Sequence, residues 1–187
     1  MSQNTPQVLL IAGSPTSPSR SSALLSYAAA YIHRHGLATS TVSVRDFPAE
    51  DLVQAKYDSP VFEDFRAKIA AASGLIIATP IYKASYTGSL KALLDILPQS
   101  SLRGKTILPL ATGGSPGHLL AIDFALKPVL AVLGASDIQQ GVYVVDSQFE
   151  YTTDGFTLEA DLQARFDEGL DRLAQTVKSV QTKVLAA

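Results

Sequence analysis

The sequence has no cysteine and only three histidines among its 187 residues. The absence of cysteine excludes disulfides, thiolate nucleophiles and cysteine-ligated zinc or iron–sulfur centres. The histidines, His33, His35 and His118, form no group with carboxylates at the spacing of metal ligands. We therefore expect neither a reactive thiol nor a metal at the functional site.

Charge is also scarce, with 15 basic and 17 acidic residues and a formal net charge of −2. No excess of positive charge attracts phosphate backbones, so a nucleic-acid partner is not expected. Hydrophobic residues make up 47% of the chain, which excludes general disorder. The surplus of apolar residues predicts that another subunit covers part of the surface.

Long apolar runs are missing too. None approaches the ~20 residues that span a bilayer, and the polar, uncharged residues 1–6 lack the basic start of a signal peptide. We expect a cytoplasmic protein that does not contact a membrane. The length fits a single domain over residues 1–187, on a prior of about 150 residues per domain, with residues 1–6 flexible.

Short apolar runs alternate with helical patterns along the chain, which predicts βαβ crossovers and an α/β fold with helices on both faces of a parallel sheet. Pro109 is a defect inside the fourth strand, and Pro128 predicts an irregular turn near 124–128. The predicted strands are 8–12, 41–44, 74–79, 106–111 and 138–145, and the predicted helices are 21–35, 60–72, 89–97, 118–133 and 158–184.

Ligands of such sheets bind outside the carboxyl ends of the strands, where the strand order reverses. The first loop at this edge, residues 13–22, holds five serines, a threonine and Arg20 before a helix. Free amides, hydroxyls and a guanidinium suit a phosphate monoester. A serine-rich helix cap explains the same residues equally well, and the loop has neither a GxGxxG pattern nor a P-loop.

The second loop, residues 79–88, begins with Thr79-Pro80 and contains Tyr82 and Tyr86. Proline favours an extended start, which leaves the backbone of residues 80–83 free to bond the edge of a flat heterocycle. The alternative is a surface loop with two incidental tyrosines.

The third loop, residues 112–117, matches the G-x-S-x-G pattern of a hydrolase nucleophile at Ser115. An oxyanion hole would need the backbone N–H of the next residue, but Pro116 has none. No histidine follows His118 to complete a triad. We therefore exclude a hydrolase and expect the glycines to admit a ligand close to the backbone.

Together the three loops resemble the NAD(P)H-dependent FMN reductase family, which has a flavodoxin-like fold. The first-loop pattern of that family, roughly G-S-x-R-x-x-S-x-[NST], appears from Gly13 to Ser21, with Thr16 in place of the usual arginine and Arg20 expected to supply the charge. Segments 78–95 and 108–130 resemble the branch that serves two-component alkanesulfonate monooxygenases.

The resemblance implies a three-layer sandwich around a five-stranded parallel sheet of order 2-1-3-4-5. It implies hydride transfer from NADPH or NADH to FMN, and delivery of reduced FMN to a flavin-dependent monooxygenase. It also implies a homodimer or homotetramer with a subunit contact from Ala121 to Leu133. Within that contact Phe124 stands where relatives have a tyrosine at a π-type turn, which keeps packing but loses the phenol hydrogen bond.

The resemblance further implies three groups of cofactor-binding residues and no catalytic side chain. The FMN phosphate is expected at Ser14, Ser19, Arg20, Ser21 and Ser22, the pyrimidine side of the ring at Pro80, Ile81, Tyr82 and Lys83, and the ring and ribityl chain along Thr112, Gly113, Gly114 and Ser115.

Three alternative functions stay open at this point. One is a quinone or azo reductase that retains its FMN. Another is a non-enzymatic electron carrier of the flavodoxin kind, which the small net charge mildly disfavours, and the third is a flavin-free interaction module. The preference for NADPH or NADH also stays open, because no ribose-binding carboxylate or 2′-phosphate arginine can be placed.

Overall fold

A computed structural model of the chain describes the backbone of residues 7–185 and the side chains of residues 7–180. The expected flexibility of residues 1–6 falls outside this part of the chain. The strands of the main sheet are β1 (Gln7–Ala12), β2 (Ala38–Ser43), β3 (Ala72–Tyr82), β4 (Ser85–Tyr86), β5 (Thr106–Gly113), β6 (Asp137–Ile138) and β7 (Val142–Val145).

Helices cover both faces of this sheet. On one face lie α1 (Arg20–Arg34) and α6 (Ala160–Leu185), and on the other α2 (Ala49–Val53), α3 (Glu63–Ala71), α4 (Gly88–Asp95) and α5 (Lys127–Val132). Strand β1 shows why the sheet is central: Val8 and Leu10 face one buried cluster, and Leu9 and Ile11 face the other. Within residues 7–185 no helix combines the length and apolarity needed to cross a membrane.

The parallel strands follow the order β2-β1-β3-β5, with β6 and β7 sharing the fifth position beside β5. This arrangement confirms the predicted flavodoxin-like order 2-1-3-4-5. The short strand β4 adds an antiparallel partner to the end of β3. The reversal of strand order between β1 and β3 places the predicted ligand edge at their carboxyl ends.

The predicted fifth strand is not continuous, because Pro109 interrupts its ladder. Strand β5 itself runs unbroken through Pro109 and pairs with β3 there. Ile107 accepts a bond from the Gln139 N–H on the fifth-strand side. Bonding direction alternates along a strand, so Pro109, which has no N–H, faces that side as well. The fifth strand of the order is therefore split into β6 and β7 opposite Pro109 of β5.

The helix predicted over 118–133, with an irregular turn near 124–128, is more irregular at its start than expected. A short 3₁₀ turn, Pro116–His118, leads to a π-helical turn, Ile122–Leu126, and then to α5. Pro128 lacks an N–H and its ring would collide with the carbonyl four residues earlier in a regular α-helix, so the wider turn lies where the sequence predicts an irregularity. The turn leaves Phe124 77% exposed.

The sequence did not predict β4, α2 or an antiparallel hairpin of β8 (Phe149–Thr152) and β9 (Gly155–Leu158). The hairpin is held by a stack of Phe149 on Phe156 with ring centroids 4.7 Å apart. Because β9 extends to Leu158, the last helix starts at Ala160 rather than at residue 158.

A contact between α1 and α6 makes the stability of the fold depend on pH in the alkaline range. The Tyr27 hydroxyl donates to Asp167 at 2.8 Å, and burial together with this bond raises the pKa of Tyr27 to about 12. Tyrosine in the unfolded chain ionises near pH 10, so this contribution to stability is present below pH 10 and is lost as pH rises through about 12.

Tyr27→Phe is therefore expected to flatten the loss of stability between about pH 10 and 12. The measurement is the midpoint of urea unfolding against pH. Tyr57→Phe, at a tyrosine that is 56% exposed, serves as the control. Equal alkaline slopes for Tyr27→Phe and the wild type would contradict this account.

Candidate functional site

The first loop forms a polar cradle between β1 and α1. Ser14, only 1% exposed, donates from its hydroxyl to the Thr16 carbonyl at 3.1 Å. The Ser19 and Ser21 hydroxyls lie 2.9 Å apart. Ser19 precedes the first residue of α1, yet its side chain makes no capping bond. The first amides of this 15-residue helix therefore have no side-chain cap, which suits an anion.

Arg20 begins α1 and supplies the positive charge of the cradle. Its Nη1 lies 3.3 Å from Oδ2 of Asp146, and its guanidinium carbon lies 6.0 Å from the centre of the Phe149 ring. Arg20 Nε is buried and has no hydrogen-bond partner. This arginine is therefore held by a carboxylate and a ring while one of its donors is left unsatisfied.

The first and second loops are tied together by threonine hydroxyls. Thr87 Oγ1 donates to the Gly13 carbonyl at 2.6 Å, and the Thr87 N–H donates to Thr79 Oγ1 at 3.2 Å. A Cβ on Gly13 would lie 2.9 Å from Leu90 Cδ2 and 3.0 Å from the Ala78 carbonyl oxygen. Only glycine allows this close approach, which fixes one loop against the other.

The second loop is extended at its start, as predicted, because β3 continues to Tyr82. Its next residues, Lys83 and Ala84, have φ angles of 50° and 64° and turn the chain back into β4. This left-handed turn leaves Lys83 exposed and outside the cleft, whereas Pro80, Ile81 and Tyr82 line it.

The third loop is shaped by Tyr143, whose hydroxyl donates to the Ser115 carbonyl at 2.8 Å. A Cβ on Gly113 would lie 2.1 Å from that hydroxyl oxygen, so only glycine fits beneath the ring. Burial, and then the negative charge of Asp146, raise the pKa of Tyr143, which keeps the hydroxyl protonated as a donor. Ser115 accepts a bond from the Gly117 N–H at 3.0 Å and is exposed.

The three loops meet in one open cleft of about 290 Å³ at the carboxyl edge of the sheet. Of the predicted residues, nine line this cleft: Ser14, Ser19, Arg20, Pro80, Ile81, Tyr82, Thr112, Gly113 and Gly114. Four predicted residues do not line it. Ser21 is buried beneath Ser19, Ser22 faces a separate pocket beside Arg45, and Lys83 and Ser115 are exposed.

Asp146 and Tyr151 also line the cleft and were missed by sequence reasoning. Asp146 follows β7, which pairs with β5 up to Val145. The rule that ligands bind at carboxyl ends of strands could therefore have identified it. Tyr151 lies in the hairpin of β8 and β9, which the alternation of strands and helices does not predict.

These features fit FMN in two respects. The uncapped start of α1, the serine hydroxyls and the unsatisfied Arg20 donor match a phosphate monoester. The side-chain-free Gly113 and Gly114 and the apolar Ile81 leave room for a flat ring beside backbone groups.

Comparison with known proteins agrees with this chemistry. Residues 6–150 match the family model described as NADPH-dependent FMN reductase. The chain is 46% identical to FMN reductase (NADPH) of Pseudomonas putida over 166 residues, covering 88% of this chain and 84% of that protein. It is 45% identical to FMN reductase (NADPH) of Escherichia coli over 171 residues, covering 91% of this chain and 90% of that protein.

Among solved structures, the apo form of NADH:FMN oxidoreductase (EMOB) superposes with a TM-score of 0.83 at 38% identity, covering 92% of this chain and 90% of that one. An archaeal flavodoxin, at 13% identity and a TM-score of 0.58, shares the fold alone. These matches confirm the predicted fold, the oxidoreductase class and the cofactors FMN and NAD(P)H. The chain belongs to the NADPH-dependent FMN reductase family.

Proposed function

We propose that this protein reduces FMN with NAD(P)H in the cytoplasm and releases reduced FMN to a flavin-dependent monooxygenase that desulfonates alkanesulfonates. The observation that carries the proposal is the open phosphate cradle at the start of α1. There Arg20 lines the cleft, and the N-cap residue makes no side-chain bond to the first amides of the helix. The resemblance of segments 78–95 and 108–130 to the alkanesulfonate branch supports the choice of partner.

The residues of the chain bind and orient rather than exchange protons. Arg20 and the hydroxyls of the first loop hold the phosphate, with Ser14 and Ser19 in the cleft and Ser21 hydrogen-bonded to Ser19 from α1. Pro80, Ile81 and Tyr82 form the pyrimidine side, and residues 112–114 run along the ring and ribityl chain. When bound, FMN supplies the hydride acceptor.

Backbone N–H groups of the second and third loops are the donors that stabilise negative charge on the reduced ring. The Tyr143 hydroxyl holds the third loop by its bond to the Ser115 carbonyl. Hydride transfer from the nicotinamide to the flavin requires no proton from a side chain. Although Asp146 lines the cleft, no general acid or base is therefore assigned.

Steady-state oxidation of NADPH with FMN, FAD and riboflavin as acceptors tests this function. We expect FMN to give a kcat/KM at least about tenfold above that of riboflavin, because FMN offers a phosphate monoester to charge-assisted donors and riboflavin has no phosphate. Equal values for FMN and riboflavin would contradict the assignment of the first loop.

The same preparation separates the other candidate functions. Bound flavin that does not exchange with free FMN, or quinone reduction that is far faster than FMN reduction, would identify a reductase that retains its cofactor. Negligible NAD(P)H oxidation by the flavin-loaded protein would indicate an electron carrier. Comparing NADPH with NADH under these conditions establishes the donor.

We also propose that the segment from Ala121 to Leu133 forms a subunit contact in a homodimer or homotetramer. Exposed apolar side chains support this, with Phe124 77% and Val132 76% exposed. An apolar depression between α4 and α5 is lined in part by Val132. Light scattering that reports a monomer both with and without FMN would overturn the proposal.

A further inference from the structure

Asp146 lies between the phosphate cradle and the third loop. It starts a short turn, Asp146–Gln148, directly after β7. Its Oδ2 is 3.3 Å from Arg20 Nη1 and 4.0 Å from the position that a Cβ on Gly114 would take. The side chain is 41% exposed, so this carboxylate faces the cleft rather than the interior.

The charge of the cleft is balanced before any ligand enters. Among the described residues that line it, Arg20 is the one cation and Asp146 is the one anion. A phosphate monoester brings a charge of about −1.5 to −2 at neutral pH. Such a ligand meets a guanidinium that is already neutralised, with a carboxylate beside it.

We propose that Asp146 competes with the FMN phosphate for Arg20 and thereby weakens FMN binding, so that flavin exchanges readily. This inference rests on the proposed function, which needs flavin to leave the protein after reduction. Asp146 is then an affinity-setting residue that acts through Arg20 and has no part in hydride transfer.

The opposite role for Asp146 would be to hold Arg20 in position for the phosphate. One observation favours competition. The guanidinium also lies over the Phe149 ring, with its carbon 6.0 Å from the ring centre, so Asp146 is not the sole support of Arg20.

The experiment compares Asp146→Asn with wild type, using flavin fluorescence for the dissociation constants of FMN and riboflavin and stopped flow for FMN release. We expect Asp146→Asn to bind FMN about three- to tenfold more tightly and to release it more slowly, with riboflavin unchanged. The gain should shrink at high salt, because screening weakens a half-exposed charge interaction.

Two control variants isolate the charge. Asp146→Glu keeps the carboxylate and should bind FMN as wild type does. Asp154→Asn removes an exposed carboxylate from the turn of the β8–β9 hairpin and should change neither flavin. Melting temperatures establish that each variant is folded.

FMN binding by Asp146→Asn that is weaker than or equal to that of wild type would overturn competition, as would an equal tightening of riboflavin. If wild type nevertheless prefers FMN to riboflavin, the proposed function survives and the role of Asp146 alone fails. If wild type shows no such preference, the phosphate cradle is misassigned and both proposals fail.

Discussion

Replacing Arg20 by glutamine (R20Q) is expected to raise the dissociation constant for FMN by roughly ten- to a hundredfold, while that for riboflavin stays nearly constant. The guanidinium is the one cation among the described residues of the cleft. A charge-assisted hydrogen bond contributes about 1.5–3 kcal/mol. Riboflavin has no phosphate, so it loses nothing by the substitution.

The loss in R20Q has a second component, because Asp146 would stay in the cleft without its partner 3.3 Å away. The unpaired carboxylate then repels the phosphate. Combining R20Q with Asp146→Asn should therefore recover part of the FMN affinity. A double-mutant cycle over the two positions should give a coupling energy larger than the deviation from additivity that independent sites show.

A matched control for R20Q lies at the other end of the same helix. Arg34 is exposed and stacks on Tyr31, with its guanidinium carbon 4.8 Å from the ring centre. Arg34→Gln removes the same charge far from the cleft and should leave both flavins unaffected. Equal losses for FMN and riboflavin in R20Q would show that Arg20 supports the fold rather than the phosphate.

The position of Arg20 in the cleft could be predicted from sequence, but its pairing with Asp146 could not. A strand followed by a serine-rich loop and a helix is a local pattern, and parallel strands bring their carboxyl ends to one edge. The partner carboxylate comes from the far end of the chain. It reaches Arg20 because the carboxyl ends of β1 and β7 lie at the same edge of the sheet, with only β3 and β5 between these two strands.

The position of Tyr143 could not be predicted, because it depends on the register of β7 against β5. Between the paired positions Ile107↔Ile138 and Leu110↔Val142, β5 advances three residues while the edge advances four. The extra residue exchanges the two faces of β7 relative to an unbroken strand. Sequence identifies Pro109 as a defect, but it does not say how many residues the neighbouring strand inserts opposite it.

The unpredicted hairpin of β8 and β9 illustrates a further limit. Its residues pair with each other and not with the main sheet, so the alternation of strands and helices says nothing about them. Asp154-Gly155 is a turn signal at the hairpin loop, but a turn signal alone does not predict that strands flank it. The aromatic residues of the hairpin then bring Phe149 beneath Arg20.

The register of β7 leads to the second large effect, at Gly113. Gly113→Ala is expected to lower kcat/KM for FMN by at least about tenfold and to lower the melting temperature. The new methyl group would lie 2.1 Å from the Tyr143 hydroxyl oxygen and 3.0 Å from Cζ. Overpacking of this kind costs about 1–3 kcal/mol, and relief requires movement of either the tyrosine ring or the third loop.

Removing the obstructing atom tests that cause directly. Tyr143→Phe alone loses the bond to the Ser115 carbonyl, which is a modest change. In the double variant Gly113→Ala/Tyr143→Phe the closest contact disappears and the contact to Cζ at 3.0 Å stays. The double variant should therefore recover part of the lost activity and stability, so the two changes are expected to be less damaging together than their sum.

Gly88→Ala is the matched glycine control, because a Cβ there meets no atom within 4 Å. It begins α4 outside the cleft, where alanine suits a helix, so wild-type activity is expected. Steady-state NADPH oxidation and thermal unfolding measure all four variants. If Gly113→Ala is as active as Gly88→Ala, the third loop accommodates the extra methyl group and the expected clash with Tyr143 is wrong. If the double variant is no better than Gly113→Ala alone, the damage comes from a contact other than the tyrosine hydroxyl.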